Sequence, residues 1–340
     1  MVTVIFLLFN VLPGDPAKMM LGQNQTAEQV KAVKKKYGFD KPLKTQYFYY
    51  INDLLPISFH SNTEDDYTFL RDDKYNAITL FTIGNTTTVL KLPYLRESFT
   101  KQGKKVSQVL AETLPNTFVL AMSAIVIAII LGVLLGIVSA LYKDRWLDKS
   151  IQIFSTLGMS IPSFFSAILF AWFFGFVLHK YTHLEMTGSL YELDDYGESV
   201  HIKWKNLILP AVVLGIRPLA VVIQLMRNSL LEVFNQDYIR TARAKGLSEF
   251  QIIRKHAIKN ALNPVVTAIS GWFASMLAGA VFVEYIFGWN GLGKEIVNAL
   301  NTLDLPVIMG AVIVIATLFV IINVFVDLIY VWLDPKVKLE

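Results

Sequence analysis

DYIRTARAKGLSEFQIIRKHAIKNALNP, residues 237–264, is the stretch that decides the fold. It places short basic helices between two long apolar segments, 207–226 and 265–283. Residues 238–245 are helix formers, and Gly246 follows at the position where a left-handed residue commonly ends a helix. The stretch is therefore predicted to begin as a short helix that stops at a glycine elbow.

The second half of the stretch predicts another helix and the start of a third. Ser248 and Gln251 have the spacing of a capping box, in which each side chain bonds the other residue's backbone amide. That helix is expected to run to about residue 262, where Asn263 and Pro264 suit an N-cap and a first helical residue. We call residues 237–262 the elbow segment.

Composition indicates that the flanking apolar segments cross a membrane. Of 340 residues, 54% are hydrophobic and 17% are charged, and the mean hydropathy is +0.47. A soluble domain of this length carries more charge. A helix needs about 20 apolar residues to cross the hydrocarbon core, where the backbone must satisfy its own hydrogen bonds. The qualifying segments are 117–142, 151–178, 207–226, 265–283 and 307–326.

The chain ends and the loops predict orientation. Residues 1–12 are apolar but short, so we expect part of a first spanning helix that is truncated at its start; a short interfacial segment is the alternative. Lys and Arg concentrate in loops 142–150 and 227–262, whereas loop 179–206 is rich in acids. The positive-inside rule makes the basic loops and both termini cytoplasmic and places 13–115 outside.

The outside segment is expected to hold a small α+β structure. Residues 26–37 favour a short polar helix. The β-prone runs 78–83 and 86–92 flank Gly84 and Asn85, which is a hairpin signal. No catalytic constellation stands out in this segment.

Residues 288–295, GWNGLGKE, have the Gly-x-x-x-x-Gly-Lys spacing of a nucleotide-binding P-loop. The chemistry does not suit a nucleotide, because Glu295 stands where a magnesium-binding Ser or Thr is needed. An apolar helix rather than a strand precedes the motif. We therefore expect a loop that re-enters the membrane surface on the outer side.

Residue types limit other chemistry. The absence of cysteine excludes disulfides, thiolate metal sites and cysteine nucleophiles. His179 and His183 have helical spacing, but no third ligand accompanies them. A polar helix end is therefore preferred there over a metal site.

Three functions suit the elbow segment. It could bind anionic lipid head groups, as any basic juxtamembrane loop does. A DNA-binding helix-turn-helix has a similar shape and charge, but tethering at both ends disfavours it. The third is docking of a cytosolic partner, in which the small residues Ala242, Ala244 and Gly246 would allow close approach and neighbouring arginines would set the orientation.

At these residues the sequence resembles a known family. Residues 240–246, RTARAKG, look like the EAA loop of ABC-importer permeases, in the form typical of the B-type subunit of the dipeptide/oligopeptide/nickel family. Similar motifs of that family follow in order along nearly the whole chain: LPGDP at 12–16, YGFDKP at 37–42, RNSLLEV at 227–233 and EYIFGWNGLG at 284–293.

The chain also departs from the family pattern. Arg240, Thr241 and Ala242 stand where the general pattern has Glu-Ala-Ala, so the role of that glutamate is not carried over. Asn290 replaces a usual proline, and residues 59–94 look like an insertion.

The resemblance implies an all-α integral membrane protein with the type I ABC-importer permease (MetI-like) fold, about six transmembrane helices and a small extracytoplasmic α+β insertion. The implied divisions are a partial first helix at 1–12, an extracytoplasmic segment at 13–115 and a transmembrane core at 116–333. The core contains a cytoplasmic coupling loop at 227–263, and the cytoplasmic tail is 334–340.

The resemblance also implies partners in a bacterial cytoplasmic (inner) membrane: a second homologous permease forming a heterodimer, two ABC ATPase subunits, an extracytoplasmic solute-binding protein and the lipid bilayer, but no nucleic acid. ATP and Mg would be bound by the ATPase subunits, so this chain is expected to bind no cofactor or metal and to have no ATPase site. Dipeptides, longer peptides, nickel chelates, glutathione and peptide antibiotics all stay open as substrates. The implied coupling residues are Asp237, Tyr238, Arg240, Thr241, Ala242, Arg243, Ala244, Lys245 and Gly246.

Within the spans, Arg217 is the one charge, and an ionised side chain there usually faces a cavity or a partner. It could meet a substrate carboxylate or pair with Glu284 or Asp327. The candidate translocation path comprises Arg217, Ser275, Gly279 and Glu284.

Small residues recur every four positions at Gly271, Ser275 and Gly279, and again at Gly132, Gly136 and Ala140. Such stripes favour close helix packing, with a substrate path as the alternative. Pro162 and Pro218 predict kinks within spans.

Two other functions compete with an ATP-driven importer. A secondary transporter or channel usually shows inverted repeats or several intramembrane ionisable groups. A membrane enzyme needs a nucleophile or a metal constellation in its spans. The sequence favours the importer over both.

Overall fold

The computed structural model describes residues 2–11, 15–21, 25–64, 66–71, 74–193 and 199–333. The chain forms two compact units. The N-terminal unit comprises 1–112 with 298–314, and the core unit comprises 113–297 with 315–340. The expected tail at 334–340 lies outside the described residues.

The N-terminal unit begins with four helices: α1 Val2–Val11, α2 Pro16–Leu21, α3 Ala27–Tyr37 and α4 Leu43–Leu54. Helix α3 confirms the polar helix expected at 26–37, because Thr26 caps it through a capping box with Gln29. Helices α1 and α4 pack together through Ile5, Phe6 and Tyr50.

A three-stranded antiparallel sheet follows, with strands β1 Ile57–Ser61, β2 Ala77–Ile83 and β3 Thr86–Lys91 in the order β1-β3-β2. The hairpin predicted around Gly84 and Asn85 is confirmed. Strand β1 was not predicted, since its pairing with β3 joins residues about thirty positions apart and leaves no local signal.

Residues 298–314 belong with the N-terminal unit, which differs from the expected boundary at 115. The buried carboxylate of Asp304 explains this association. It accepts hydrogen bonds from the Ser98 hydroxyl, from the Phe99 amide at 3.1 Å and from both the amide and the hydroxyl of Thr100. These contacts join residues about 200 positions apart in sequence, so sequence spacing could not reveal them.

Helices α5 Val106–Leu141, α6 Trp146–Ser160 and α7 Ser163–Phe170 come next, and α7 continues as a π-helix over Ala171–Val177. Helix α8 is His179–Thr182, and strands β4 Tyr191–Leu193 and β5 Val200–Ile202 form a hairpin. The remaining helices are α9 Lys205–Phe234, α10 Asp237–Ala244, α11 Glu249–Ile252, α12 Ile258–Ala261, α13 Asn263–Gly279, α14 Val281–Phe287, α15 Leu292–Asn301 and α16 Leu305–Leu333.

Three described helices are long and apolar enough to cross a membrane: Val106–Leu141, Lys205–Phe234 and Leu305–Phe325. Two bent pairs raise that number to five if each pair is one span. The pair α6 and α7 bends by 108°, and α13 with α14 bends by 57°.

The expected span 151–178 is thus a sharply broken pair of helices. Pro162 is the physical reason, because it lacks an amide hydrogen and disfavours helical geometry at Ile161, which is extended at φ −77° and ψ 129°. Pro218, where a kink was also predicted, lies within the continuous helix α9.

Helix α5 lies close against α9 in the core unit. A methyl group on Gly132 would come within 2.6 Å of Val222 Cγ1, and one on Gly136 within 2.7 Å of Met226 Cβ. Ala140 is buried in the same cluster. The packing role predicted for this small-residue stripe is confirmed.

Candidate functional site

The elbow segment has the predicted local structure. Helix α10 ends at Ala244, and Gly246 has φ +76°. The Ser248 hydroxyl accepts from the Gln251 amide at 3.4 Å, and Gln251 Oε1 accepts from the Ser248 amide at 3.1 Å. The predicted elbow and capping box are therefore both confirmed.

Two further features shape this segment. Arg243 Nε donates to Glu249 Oε1 at 2.9 Å, which ties α10 to α11 across the elbow. The second predicted helix is α11 and α12 joined by a π-helical turn, Ile253–Ala257. The predicted N-cap at Asn263 is wrong, since Leu262 occupies that position without a side-chain cap.

The inner face of the segment packs on α9. Ile239, Ala242 and Ile252 are buried in one apolar cluster with Met226 and Leu230. This arrangement corrects one expectation. Ala242 packs inside its own chain, so it is not part of the surface offered to a partner.

The outer face of the segment is open to solvent. Tyr238 is 41% exposed, and its hydroxyl accepts from Asn260 Nδ2 at 2.8 Å. Phe250 is 70% exposed, a large apolar side chain that sequence reasoning passed over although it stands among charged and polar neighbours. The other exposed residues of the expected coupling set are Asp237, Arg240, Thr241, Arg243, Ala244, Lys245 and Gly246.

A partly buried ion pair, with its carboxylate buried, lies where α9 approaches α6. Arg227 donates to both oxygens of Asp148, from Nε at 2.8 Å and from Nη2 at 2.7 Å. The Ser139 hydroxyl and the Asp144 amide also donate to Asp148. The pair thereby fixes the end of α9 that leads into the elbow segment, a contact that sequence reasoning missed because the partners are 79 residues apart.

Glu284 lies in a second buried network, built around the GWNGLGKE stretch. Its carboxylate accepts from the Thr117 hydroxyl at 2.7 Å, the Gly293 amide at 2.6 Å and the Lys294 amide at 3.2 Å. Lys294 Nζ donates to Gly288 O and to Asn290 Oδ1. Groups that would hold a phosphate in a P-loop are thus engaged by the chain itself.

This network also corrects an expectation about Glu284. The side chain is fully buried and hydrogen-bonded, so it does not pair with Arg217. Asp327, the other expected partner, has its side chain outside the described part of the structure.

The structure brings two of the candidate path residues together. Arg217 is exposed on α9 and, with Ser275 of α13, lines a cavity of about 140 Å³. No atom lies within 4 Å of the position that a methyl on Gly271 would take, so this part of the α13 stripe is not packed against its own chain. Gly279 lies at the end of α13, and its surroundings are outside the described residues.

Metal chemistry has no obvious place among the described residues. They contain no group of three or more His, Cys, Asp or Glu side chains that could hold a metal ion. His179 Nδ1 lies 2.8 Å from the carbonyl oxygen of Leu184, which is a local helix-end contact.

Membrane-length apolar helices, with a polar elbow segment packed on one of them, α9, are the architecture of a multi-span membrane protein. Residues 132–339 match the family described as "Binding-protein-dependent transport system inner membrane component". Residues 1–64 match "Binding-prot-dependent transport system membrane comp, N-term". The chain belongs to this family of inner-membrane transport components.

Relatives match over nearly their full lengths. The chain is 34% identical to a dipeptide transport system permease protein of Alkalihalophilus pseudofirmus, over 99% of this chain and 94% of that protein. It is 33% identical to a putative peptide permease protein of Brucella suis, over 98% of this chain and 93% of that protein.

The fold is also similar to a solved structure. An inward-facing structure of the MetNI methionine ABC transporter superposes with a TM-score of 0.52 at 15% identity, covering 67% of this chain and 97% of the other. The predicted MetI-like permease fold is confirmed. The chain is a multi-pass inner-membrane permease subunit of an ABC importer, one component of a binding-protein-dependent system.

Proposed function

We propose that this permease moves short peptides, dipeptides or oligopeptides, into the cell, and that partner subunits hydrolyse the ATP. The peptide transport systems named for its relatives support the substrate class. The open outer face of the elbow segment carries the coupling part of the proposal.

The elbow segment is the docking surface for an ATPase subunit. The exposed residues of α10, with Gly246 and Phe250, meet the partner, whereas Ile239 and Ala242 transmit its movement to α9 through their packing. Arg227 and Asp148 pass the same movement to α6. Closure of the ATPase subunits around ATP and Mg would then tilt the spans and open the path in turn to each side of the membrane.

The proposed assembly contains two such ATPase subunits, a second homologous permease and an external solute-binding protein. This chain supplies no nucleotide site of its own in the proposal, because the amides of its P-loop-like stretch are engaged by Glu284. The open face of α13 at Gly271 and Ser275 suits the path between the two permeases. The elbow segment and both termini face the cytoplasm, and residues 13–115 lie outside.

Orientation is open to a direct test, because the natural chain contains no cysteine. Gln102→Cys and Lys255→Cys each place one thiol at an exposed position. In intact cells whose outer envelope has been made permeable, a membrane-impermeant maleimide should label Cys at 102 and should reach Cys at 255 only after lysis. Labelling of 255 before lysis would reverse the proposed orientation.

Coupling is tested by Gly246→Val. The Cβ of the valine meets no neighbouring atom of this chain within 4 Å, so we expect its effect to come from the positive φ and from the bulk presented to a partner. We expect peptide uptake and substrate-stimulated ATPase activity to be lost, with membrane insertion and subunit yield retained.

Gly103→Val is the matched control. Gly103 has φ +70° and also has no atom within 4 Å of an added methyl, but it lies in the N-terminal unit. Backbone strain of about 1–2 kcal/mol is common to both variants. Equal loss of uptake in the two variants would assign the effect to strain and contradict docking at the elbow.

A further inference from the structure

The N-terminal unit contains a cavity of about 400 Å³, within the range of small-ligand sites. Aromatic side chains supply much of its wall: Tyr37, Phe39, Tyr67, Tyr94 and Phe99. The rings of Tyr37 and Phe39 are stacked at 5.9 Å, and that of Phe99 meets Phe39 edge-on at 6.0 Å. A flat apolar or aromatic group of a ligand would find a preformed surface here.

A buried carboxylate links several side chains at the inner side of this cavity. Asp53 accepts from the hydroxyls of Tyr67 and Tyr75, both at 2.9 Å, and from Arg96 Nε at 3.1 Å. The charge of Arg96 is thereby matched by Asp53. Arg96 lines the cavity, but its charge is already paired with that of Asp53.

Lys74 is different, because the described residues form no ion pair with its charge. Its ammonium group lies 3.8 Å from the ring centroid of Tyr67, 4.7 Å from that of Tyr75 and 5.5 Å from that of Tyr94. It donates one hydrogen bond, to the carbonyl oxygen of Tyr67 at 3.2 Å. Among the described residues no carboxylate forms an ion pair with it.

An ammonium group has three donors, and burial disfavours its charge, although Asp53 and Glu97 act against this effect at Lys74. Burial accordingly lowers the pKa of Lys74 to about 8. A carboxylate that entered the cavity would receive Lys74 donors that the described residues do not engage, and it would add a countercharge at short range.

Acidic side chains occupy other parts of the cavity wall. Glu64, Asp66 and Glu97 line it together with the aromatic residues, and Glu64 is exposed. The cavity therefore offers the partly buried cation of Lys74, an aromatic wall and carboxylates in one space, with Lys35, Lys36 and Arg71 also in its wall. That combination is complementary to a small zwitterion that carries an apolar side chain.

We propose that this cavity binds a short peptide, with the free C-terminal carboxylate on Lys74, an apolar side chain against the Tyr37–Phe39–Phe99 wall and the α-ammonium group toward the acidic side chains. The choice of a peptide and the outward position of the cavity rest on the proposed function. The site would hold substrate on the permease itself, apart from the solute-binding protein.

The test uses the whole importer in nanodiscs without its solute-binding protein, and the probes are Ala-Phe and Ala-Phe amide. Isothermal titration should show the free acid binding at least tenfold more tightly than the amide. This comparison needs no variant. Equal affinity of the two probes, or no binding of either, would overturn the proposal.

Lys74→Met then identifies the cavity. Methionine retains the length of the chain and suits the tyrosine rings around it. We expect the affinity for the acid to fall to that of the amide in this variant. Lys44→Met, at an exposed lysine outside the cavity, is the matched control and should bind as the natural chain does. A Lys74→Met importer that still prefers the acid tenfold would place the site elsewhere.

Uptake by proteoliposomes containing the importer and its solute-binding protein separates this proposal from the function on which it rests. Uptake of the peptide acid and the peptide amide at equal rates would refute the cavity site, but the proposal that the transporter imports peptides would stand. Lysine-dependent binding without peptide uptake would support the cavity as a peptide site and refute peptide import.

Discussion

Ala242 and Ala244 lie on opposite faces of α10, and this difference decides which of them a partner can contact. Residues two positions apart on a helix point about 200° away from each other. Ala242 is accordingly 5% exposed in the cluster on α9, whereas Ala244 is exposed to solvent. Sequence reasoning placed both on the partner's side because it considered only their small size. The helical period, applied to α10, would have separated them.

The pair supplies a prediction. Ala242→Leu overpacks the apolar cluster and should destabilise the subunit by about 1–3 kcal/mol, seen as a lower thermal midpoint in detergent. Ala244→Leu should leave that midpoint unchanged and instead weaken co-purification of the ATPase subunit. The reverse pattern would mean that Ala242, not Ala244, faces the partner.

Lys74 predicts a dependence on pH. Because its pKa in the folded protein is about 8, below the ordinary 10.5, the unfolded state binds more protons between these values. The free energy of unfolding should therefore gain a contribution as the pH rises from about 8 toward 10.5. Thermal midpoints across this range should rise less steeply in Lys74→Met than in Lys44→Met, and parallel profiles would contradict the lowered pKa.

At the scale of helices and strands, the features predicted from the sequence are those that depend on residues close together in the chain. The capping box at Ser248 and Gln251 spans four residues, and sequence alone located it. The bend between α6 and α7 was predicted only as a kink. Pro162 indicates that the helix breaks, but the angle of 108° depends on neighbouring helices. The contacts of Asp148 and Glu284 join distant residues, and no spacing rule points to them.

The Asp148–Arg227 pair carries the prediction at this scale. Arg227→Met leaves Asp148 buried without its countercharge, which should cost about 3–5 kcal/mol. The double variant Asp148→Asn/Arg227→Met should recover much of that loss. Arg227→Lys should be less stable than the natural protein, because lysine cannot make the bidentate contact with Asp148. Thermal unfolding measures all three. Additive losses in the double variant would show that the pair is not coupled.

At the scale of the whole molecule, apolar length predicted the membrane core, while the division into two units depended on contacts that sequence does not display. Residues 298–314 were expected to belong to the transmembrane core, yet Asp304 ties them to the N-terminal unit. The family motifs resembled at both ends of the chain gave the correct fold class. They did not reveal which segment packs with which.

Asp304→Ala tests that association. It removes the acceptor of the Phe99 and Thr100 amides and of the Ser98 and Thr100 hydroxyls, which should cost about 3 kcal/mol for buried hydrogen bonds to a carboxylate. Hydrogen–deuterium exchange should rise in residues 98–100 and 298–314 together, with α9 unchanged. Exchange that rose equally in α9 would indicate global loosening instead.

The glycine elbow has one more consequence. No atom of this chain lies within 4 Å of a methyl group placed on residue 246, so within the chain itself only the backbone conformation limits the residue that can stand there. That conformation is the one that right-handed chirality at Cα opposes and mirror-image chirality favours. A D-alanine introduced at this position by semisynthesis should therefore suit the backbone that L-alanine strains. The site selects for the handedness of its residue, and glycine is the encoded amino acid that has none.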